Sequence, residues 1–242
     1  MNANAEIFDK IVNERRSVRM YDPDAPFDAN AVQRSLERAV LSPNSSNLQL
    51  WEFYRVHTPT KKKELAKYCL NQRAARTANE LIVIVTRKDK WKKHAAFVLD
   101  ESKKDFPEKV GKKEKLIIDY YTKVIPVMYF SDPLDISGGL KKAAITATGA
   151  FRPIIRQVAA ADVRVVVHKS AALAAQTFML SMTAEGYDTC PMEGFDSVRV
   201  KKLLNLPAAA EINMIISVGT AKPEGVYGKR IRLPKEEVIF EI

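Results

Sequence analysis

Three arginines and a serine fall within five residues near the N-terminus: Arg15, Arg16, Ser17 and Arg19. A merely solvated surface accepts lysine equally well. Arginine's planar fork makes paired hydrogen bonds, so this cluster suits an anion with several oxygens. A second basic island, "KRIRLP" at 229–234, carries Arg230 and Arg232 at the other end of the chain. If the two ends converge, they can hold a phosphate. Three further polar islands lie between them: "SPNSSNLQLW" (42–51), "NQR" (71–73) and "PMEGFD" (191–196). The amides and hydroxyls of the first two suit the edge of a heterocycle or a polyol chain. In the last, Gly194 lets a ligand ring approach the backbone closely. Each island also has a plainer reading. The arginines can serve a helix C-terminus, and the others can be ordinary turns.

Other chemistries lack their residues. There is no G-x-G-x-x-G after a strand and no G-x-x-x-x-G-K-[ST], so the usual dinucleotide and triphosphate cradles are missing. His57, His94 and His168 are scattered without metal-ligand spacing, and no metal is expected. The serines form no G-x-S-x-G elbow. Cys69 and Cys190 make neither a disulfide framework nor a metal motif, which fits a reducing cytoplasm. The N-terminus has no hydrophobic signal core, and apolar runs such as 81–85 are far too short to cross a membrane. A cytoplasmic location without a membrane partner is expected.

Lys and Arg total 39 against 29 Asp and Glu, a net charge of +10 in 242 residues. The lysines concentrate at 61–63, 87–93 and 110–116. Few aromatics interleave them, and no nucleic-acid motif is present. A solvated basic surface that attracts small anions is the expectation, rather than a nucleic-acid partner.

The elements that must position the islands follow from periodicity. Residues 4–14 and 28–41 read as amphipathic helices, the second capped by Asp28. Residues 51–57 read as a strand, 59–69 as a lysine-rich helix and 81–86 as a buried strand. Residues 90–130 are helical in pattern, with Pro126 interrupting any long helix. Residues 139–161 are helical, broken near Pro153. Residues 163–168 suit either a short strand or the approach to the next helix. Ser170 then caps a helix that is apolar or small on nearly every face and ends at Gly186. A strand and loop, a short helix closed by Pro207, a strand at 212–219 and a strand-like tail follow. With 46% hydrophobic residues, no repeat and no linker, the chain reads as one α+β domain over 1–242.

In order along the chain come R-R-S-V-R after a short helix, S-P-N-S-S-N-L-Q-x-W leading into a strand, G-Y-D-T-C-P-M-E-G-F after an apolar helix, and R-x-R-L-P near the end. Together they resemble the nitroreductase family of flavin enzymes, over residues 5–87 and 163–240. Residues 88–162 match weakly and form a variable helical cap segment. The resemblance implies a mostly antiparallel sheet flanked by helices, in an intertwined homodimer with FMN at the interface. Arg15, Arg16, Ser17 and Arg19 would hold the phosphate, ribityl chain and pyrimidine edge, with Arg230 and Arg232 at the phosphate end. Pro43, Asn44, Ser45 and Asn47 would reach over from the second subunit. Asn71 matches a position that binds the pyrimidine ring. Met192, Glu193 and Gly194 would lie against the ring near N5. No side chain need be catalytic. NAD(P)H would deliver hydride to the flavin, and a small-molecule acceptor such as a nitroaromatic or quinone would then take it, in a ping-pong sequence.

Two departures from the family pattern bear on these implications. Leu50 stands where a proline is common, which changes loop stiffness. Ala74 stands where some members have a lysine near the flavin O2, so Arg73 or Arg76 would have to serve. Tyr120, Tyr121, Tyr129 and Phe130 suit either an acceptor-stacking role or a core. The same fold also supports enone reduction, dehalogenation or flavin fragmentation. A protein that binds anions or nucleic acid without turnover is the remaining alternative.

Overall fold

The sheet is built around two strands that bury apolar side chains on both faces. The computed structural model describes residues 2–132 and 134–242. Strands β1 (Trp51–Val56), β2 (Glu80–Thr86), β3 (Asp188–Met192) and β4 (Glu211–Gly219) lie in the order β1-β2-β4-β3, with every neighbouring pair antiparallel. All seven residues of β2 are buried, as its unbroken apolar run requires. Leu81, Val83, Val85 and Ile215 face helices α3 (Pro59–Tyr68), α4 (Arg73–Thr77) and α10 (Ser197–Leu203). Ile82, Ile84, Ile216 and Val218 face α2 (Ala29–Ala39) and α9 (Ala160–Ala184). A bulge at Asn213 shifts the register between Ile84 and Val85 and returns Ile212 to the α3 side.

Helix α1 (Ala3–Glu14) carries no buried residue, although Ile7 and Phe8 are 59% and 55% exposed on its apolar face. The cap segment supplies α5 (Trp91–Lys103), α6 (Lys112–Asp119), α7 (Ile125–Tyr129) and α8 (Ile136–Thr148). Ala95, Ile125 and Tyr129 pack there against Leu48, Leu50, Val163 and Val167.

Most expected elements are present, and four expectations need correction. Pro126 does not interrupt the helical path. A π turn at Tyr120–Val124 joins α6 to α7, and the Ile125 N–H reaches back to the Tyr120 carbonyl. That wider turn absorbs the missing N–H and the ring of the proline that follows. Ser170 is not a cap. The helix starts ten residues earlier, and the Ser170 hydroxyl donates to the Val166 carbonyl at 3.1 Å in mid-helix. Residues 163–168 therefore belong to α9 and not to a strand. The true start is fixed by Asp162, which accepts from the N–H groups of Val158 and Ala159. Finally, the tail forms one 3-10 turn at Lys235–Glu237 and no strand. Among the described residues no helix is long and apolar enough to cross a membrane.

Candidate functional site

After α1 the chain turns extended and is laced to two neighbours. Ser17 bridges Thr189, with the Val18 N–H on the Thr189 carbonyl at 3.1 Å. The Arg19 N–H donates to Gly225 at 2.6 Å and the Lys222 N–H to Met20 at 3.1 Å. Val18 and Tyr21 point into the core, and the Tyr21 hydroxyl meets Ser217 at 2.9 Å. The arginines between them are thereby held at the rim. The return segment fits because residue 225 is glycine: a Cβ there would sit 2.4 Å from the Met20 carbonyl oxygen.

The two arginine-rich ends of the chain meet. Arg15, Arg16, Arg19, Lys229, Arg230 and Arg232 line one cavity of about 290 Å³, with Ser17 among them. Among the described residues none of these six cations pairs with a carboxylate. Burial, then repulsion from Arg230 and Arg232, holds the Arg15 guanidinium below its ordinary value. Such uncompensated charge in a fixed frame stabilises a multivalent oxyanion and costs little reorganisation when one enters.

The cations are not equivalent. Arg230 spends its donors on the carbonyls of Val12, Asn13 and Arg15, at 3.3, 2.8 and 2.7 Å. It closes the C-terminus of α1, the helix-end role that sequence reasoning had offered for the first arginines. Arg16 bonds the Gly228 carbonyl at 2.8 Å. The guanidinium groups of Arg15 and Arg19 make no hydrogen bond among the described residues and remain available.

The third and fourth islands adjoin this region. Gln72 Nε2 donates to the Gly194 carbonyl at 2.8 Å, and Arg73 approaches the Tyr227 hydroxyl at 3.5 Å. Glu193 and Gly194 are exposed, and their N–H groups have no acceptor among the described residues. Met192 is 2% exposed and packs in the core, so only its backbone is available to a ligand. Ala74 is also a core residue. Arg76 lines a different cleft, together with Asn71, which leaves Arg73 as the candidate beside the arginine cavity.

The second island is elsewhere in the chain's fold. Ser45–Asn47 forms a 3-10 turn, and Ser46, Asn47 and Gln49 all have positive φ, from 49° to 56°. The Ser45 N–H donates to Ser170 Oγ, the Asn44 Oδ1 accepts from the Gln49 N–H, and the exposed Pro43 precedes them. Tyr120 and Tyr121 of the cap bond the Ser46 hydroxyl and carbonyl at 2.7 and 3.0 Å. No hydrogen bond among the described residues joins this turn to the arginine cavity. The sequence pattern left out Tyr227 and, within the third island, gave Gln72 no role of its own. An aromatic directly before the G-K-R run was the available signal for Tyr227; Gln72 had none beyond adjacency to Asn71.

The Nitroreductase family model matches residues 12–220. The chain belongs to the nitroreductase family. Protein DrgA of Synechocystis is 28% identical over 226 residues, spanning 93% of this chain and 88% of that protein. The crystal structure of ydfN from Bacillus subtilis superposes with a TM-score of 0.75 at 23% identity, over 99% and 100% of the two chains. A structure from Exiguobacterium sibiricum, solved in complex with FMN, gives 0.68 at 21% identity, over 97% of each chain. Membership of this family accounts for the α+β architecture and the antiparallel sheet described above.

Proposed function

We propose that this nitroreductase-family protein is an FMN-dependent oxidoreductase that draws on NAD(P)H and reduces small acceptors such as nitroaromatics or quinones. The observation that carries the reading is the carboxylate-free cavity where Arg15 and Arg19 present unspent donors beside Ser17, with Arg232, bonded only to the adjacent Ile231 carbonyl, on the same wall. It matches a phosphate monoester in charge and in donor geometry. When bound, FMN supplies the hydride chemistry, and the protein contributes binding and electrostatics. Arg15, Arg19 and Arg232 bind the phosphate, and Arg230 and Arg16 hold the frame. The free N–H groups of Glu193 and Gly194 present donors toward a ring, and Gln72 fixes their loop. Arg73 supplies positive charge in place of the lysine that some members of the family have at the position of Ala74.

Pro43, Asn44, Ser45 and Asn47 then belong to the second copy's site in a homodimer. Their attachment to α9 and the cap, away from the arginine cavity, supports this assignment. Donor and acceptor use the same exposed face in turn, which makes the kinetics ping-pong.

The test is the visible spectrum of the purified protein, before and after anaerobic NADPH and NADH. Flavin bands that bleach are expected. Arg19→Ala with Arg232→Ala is expected to weaken FMN retention at least tenfold, since each charge-assisted contact is worth roughly 1.5–3 kcal/mol. A double variant that purifies equally yellow would refute the phosphate site.

A further inference from the structure

The turn that carries Asn44, Ser45 and Asn47 holds an uncommon backbone. Ser46, Asn47 and Gln49 are left-handed, at φ 56°, 50° and 49°, and none is a glycine. Asparagine tolerates this region, whereas serine and glutamine gain little from it. Such a conformation persists only where its surroundings over-determine it, an arrangement common at ligand clamps.

Three elements hold the turn. On α9, Ser170 Oγ accepts from the Ser45 N–H at 3.2 Å. On α5, His94 Nδ1 lies 2.7 Å from the Leu48 carbonyl oxygen. The π turn of the cap supplies the third hold. The Tyr120 hydroxyl meets Ser46 Oγ at 2.7 Å, and the Tyr121 hydroxyl donates to the Ser46 carbonyl at 3.0 Å. Their rings stand edge to face with centroids 5.3 Å apart, so two successive side chains converge on one residue. Burial, then the neighbouring Tyr120, pushes the Tyr121 hydroxyl above its ordinary value, which keeps it a donor. A π turn is rare, and in proteins it often marks a functional place.

What the clamped turn presents is polar and unspent. Ser46 is taken by the cap, while Asn47 beside it is exposed. Asn47 Oδ1 accepts from Gln49 Nε2 at 3.3 Å and faces Asn44 Nδ2 at 3.5 Å, which fixes the amide. Its Nδ2 makes no hydrogen bond among the described residues.

We propose that Tyr120 and Tyr121 are positioning residues for the flavin site of the second copy, their hydroxyls locking Ser46 so that Ser45 and Asn47 meet the bound FMN. This inference rests on the FMN reading above and on the assignment of the turn to the second copy's site. It gives the cap tyrosines a role that is neither acceptor stacking nor core filling, since they act through Ser46.

The experiment titrates FMN into the apoprotein of the full chain and follows flavin fluorescence. It compares the wild type with Tyr120→Phe, Tyr121→Phe, Ser46→Ala, and Ser46→Ala combined with Tyr120→Phe. Sedimentation and urea unfolding run in parallel. Each phenylalanine deletes one hydroxyl and keeps the ring. Every single variant is expected to weaken FMN binding by about fivefold, the scale of one neutral hydrogen bond, with the dimer intact. Because Tyr120 acts through the Ser46 hydroxyl, the combined variant is expected to lose no more than either of its singles. FMN affinity equal to the wild type in both tyrosine variants, whatever their stability, overturns the proposal. So do losses that multiply in the combined variant, losses that only track dissociation of the dimer, or a raised KM for benzoquinone at wild-type FMN affinity. If Tyr121→Phe does not fold, the Tyr120 and Ser46 variants decide by the same criteria. A wild-type chain that binds no FMN refutes the flavin reading itself, a result distinct from each of these.

Discussion

Two arginines separated by a single residue have different work in this protein. Arg230 reaches three carbonyls at the end of α1, whereas Arg232 bonds only the adjacent Ile231 carbonyl, at 2.7 Å. Arg230→Ala is therefore expected to lower both flavin retention and stability, the latter by roughly 1–2 kcal/mol for a helix end left open. Arg232→Ala is expected to lower retention alone. Parallel urea unfolding of the apoproteins and FMN titration check this, and equal stability loss in both variants would contradict it. The sequence made the arginines conspicuous because few other residue types serve an oxyanion. It did not separate binder from brace, because that depends on which carbonyls the fold brings within reach.

At the scale of elements, two helix ends use the same motif with different residues. After α9, Gly186 at φ 83° lets the N–H groups of Gly186 and Tyr187 reach Thr183 and Met182. After α3, Leu70 does the same, with bonds from Leu70 to Lys67 and from Asn71 to Ala66. Glycine at 186 was readable as a stop signal. Leucine at 70 was not, since nothing in its type favours a left-handed backbone. Gly186→Ala is expected to destabilise by about 1 kcal/mol and Leu70→Gly to stabilise by about as much. Chemical denaturation measures both, and a Leu70→Gly variant that loses stability would show that the leucine side chain and the freedom of glycine in the unfolded chain outweigh the strain. The start of α9 was misplaced for a related reason. A serine looks like a cap in sequence, but one bonded back to Val166 is compatible with an uninterrupted helix.

For the whole molecule, charge and unburied surface make the decisive statements. Glu185 at the end of α9 is clamped by Arg34 and Arg38 of α2, at 2.6 and 2.5 Å. Those bonds hold its carboxyl at about 2 against an ordinary 4.5. Because the folded value is depressed, the clamp's contribution is complete above about pH 4.5 and is lost as pH falls toward 2. Stability of the wild type is expected to fall more steeply across that window than that of Glu185→Gln. Equal slopes by denaturant titration would remove the clamp from the account. The exposed face of α1 and the tail residues Val238, Ile239 and Phe240, which are 57%, 64% and 73% exposed, leave apolar surface for a second copy. Sedimentation is expected to give a dimer, and deletion of residues 234–242 to weaken it; an unchanged, stable dimer would count against the tail's role.

The sequence by itself determined the family, the positions of the buried strands and the residue types of the cavity. Apolar periodicity and arginine's hydrogen-bond geometry are local properties of the chain, legible without coordinates. Only the tertiary structure decided that residues 15–19 and 229–232 share one cavity, that Gln72 holds the Gly194 loop, and that Asn71 opens into a separate cleft. Those facts rest on backbone pairings such as Val18 with Thr189 and Arg19 with Gly225, between segments about 170 to 206 residues apart, where loop closure leaves no local signature.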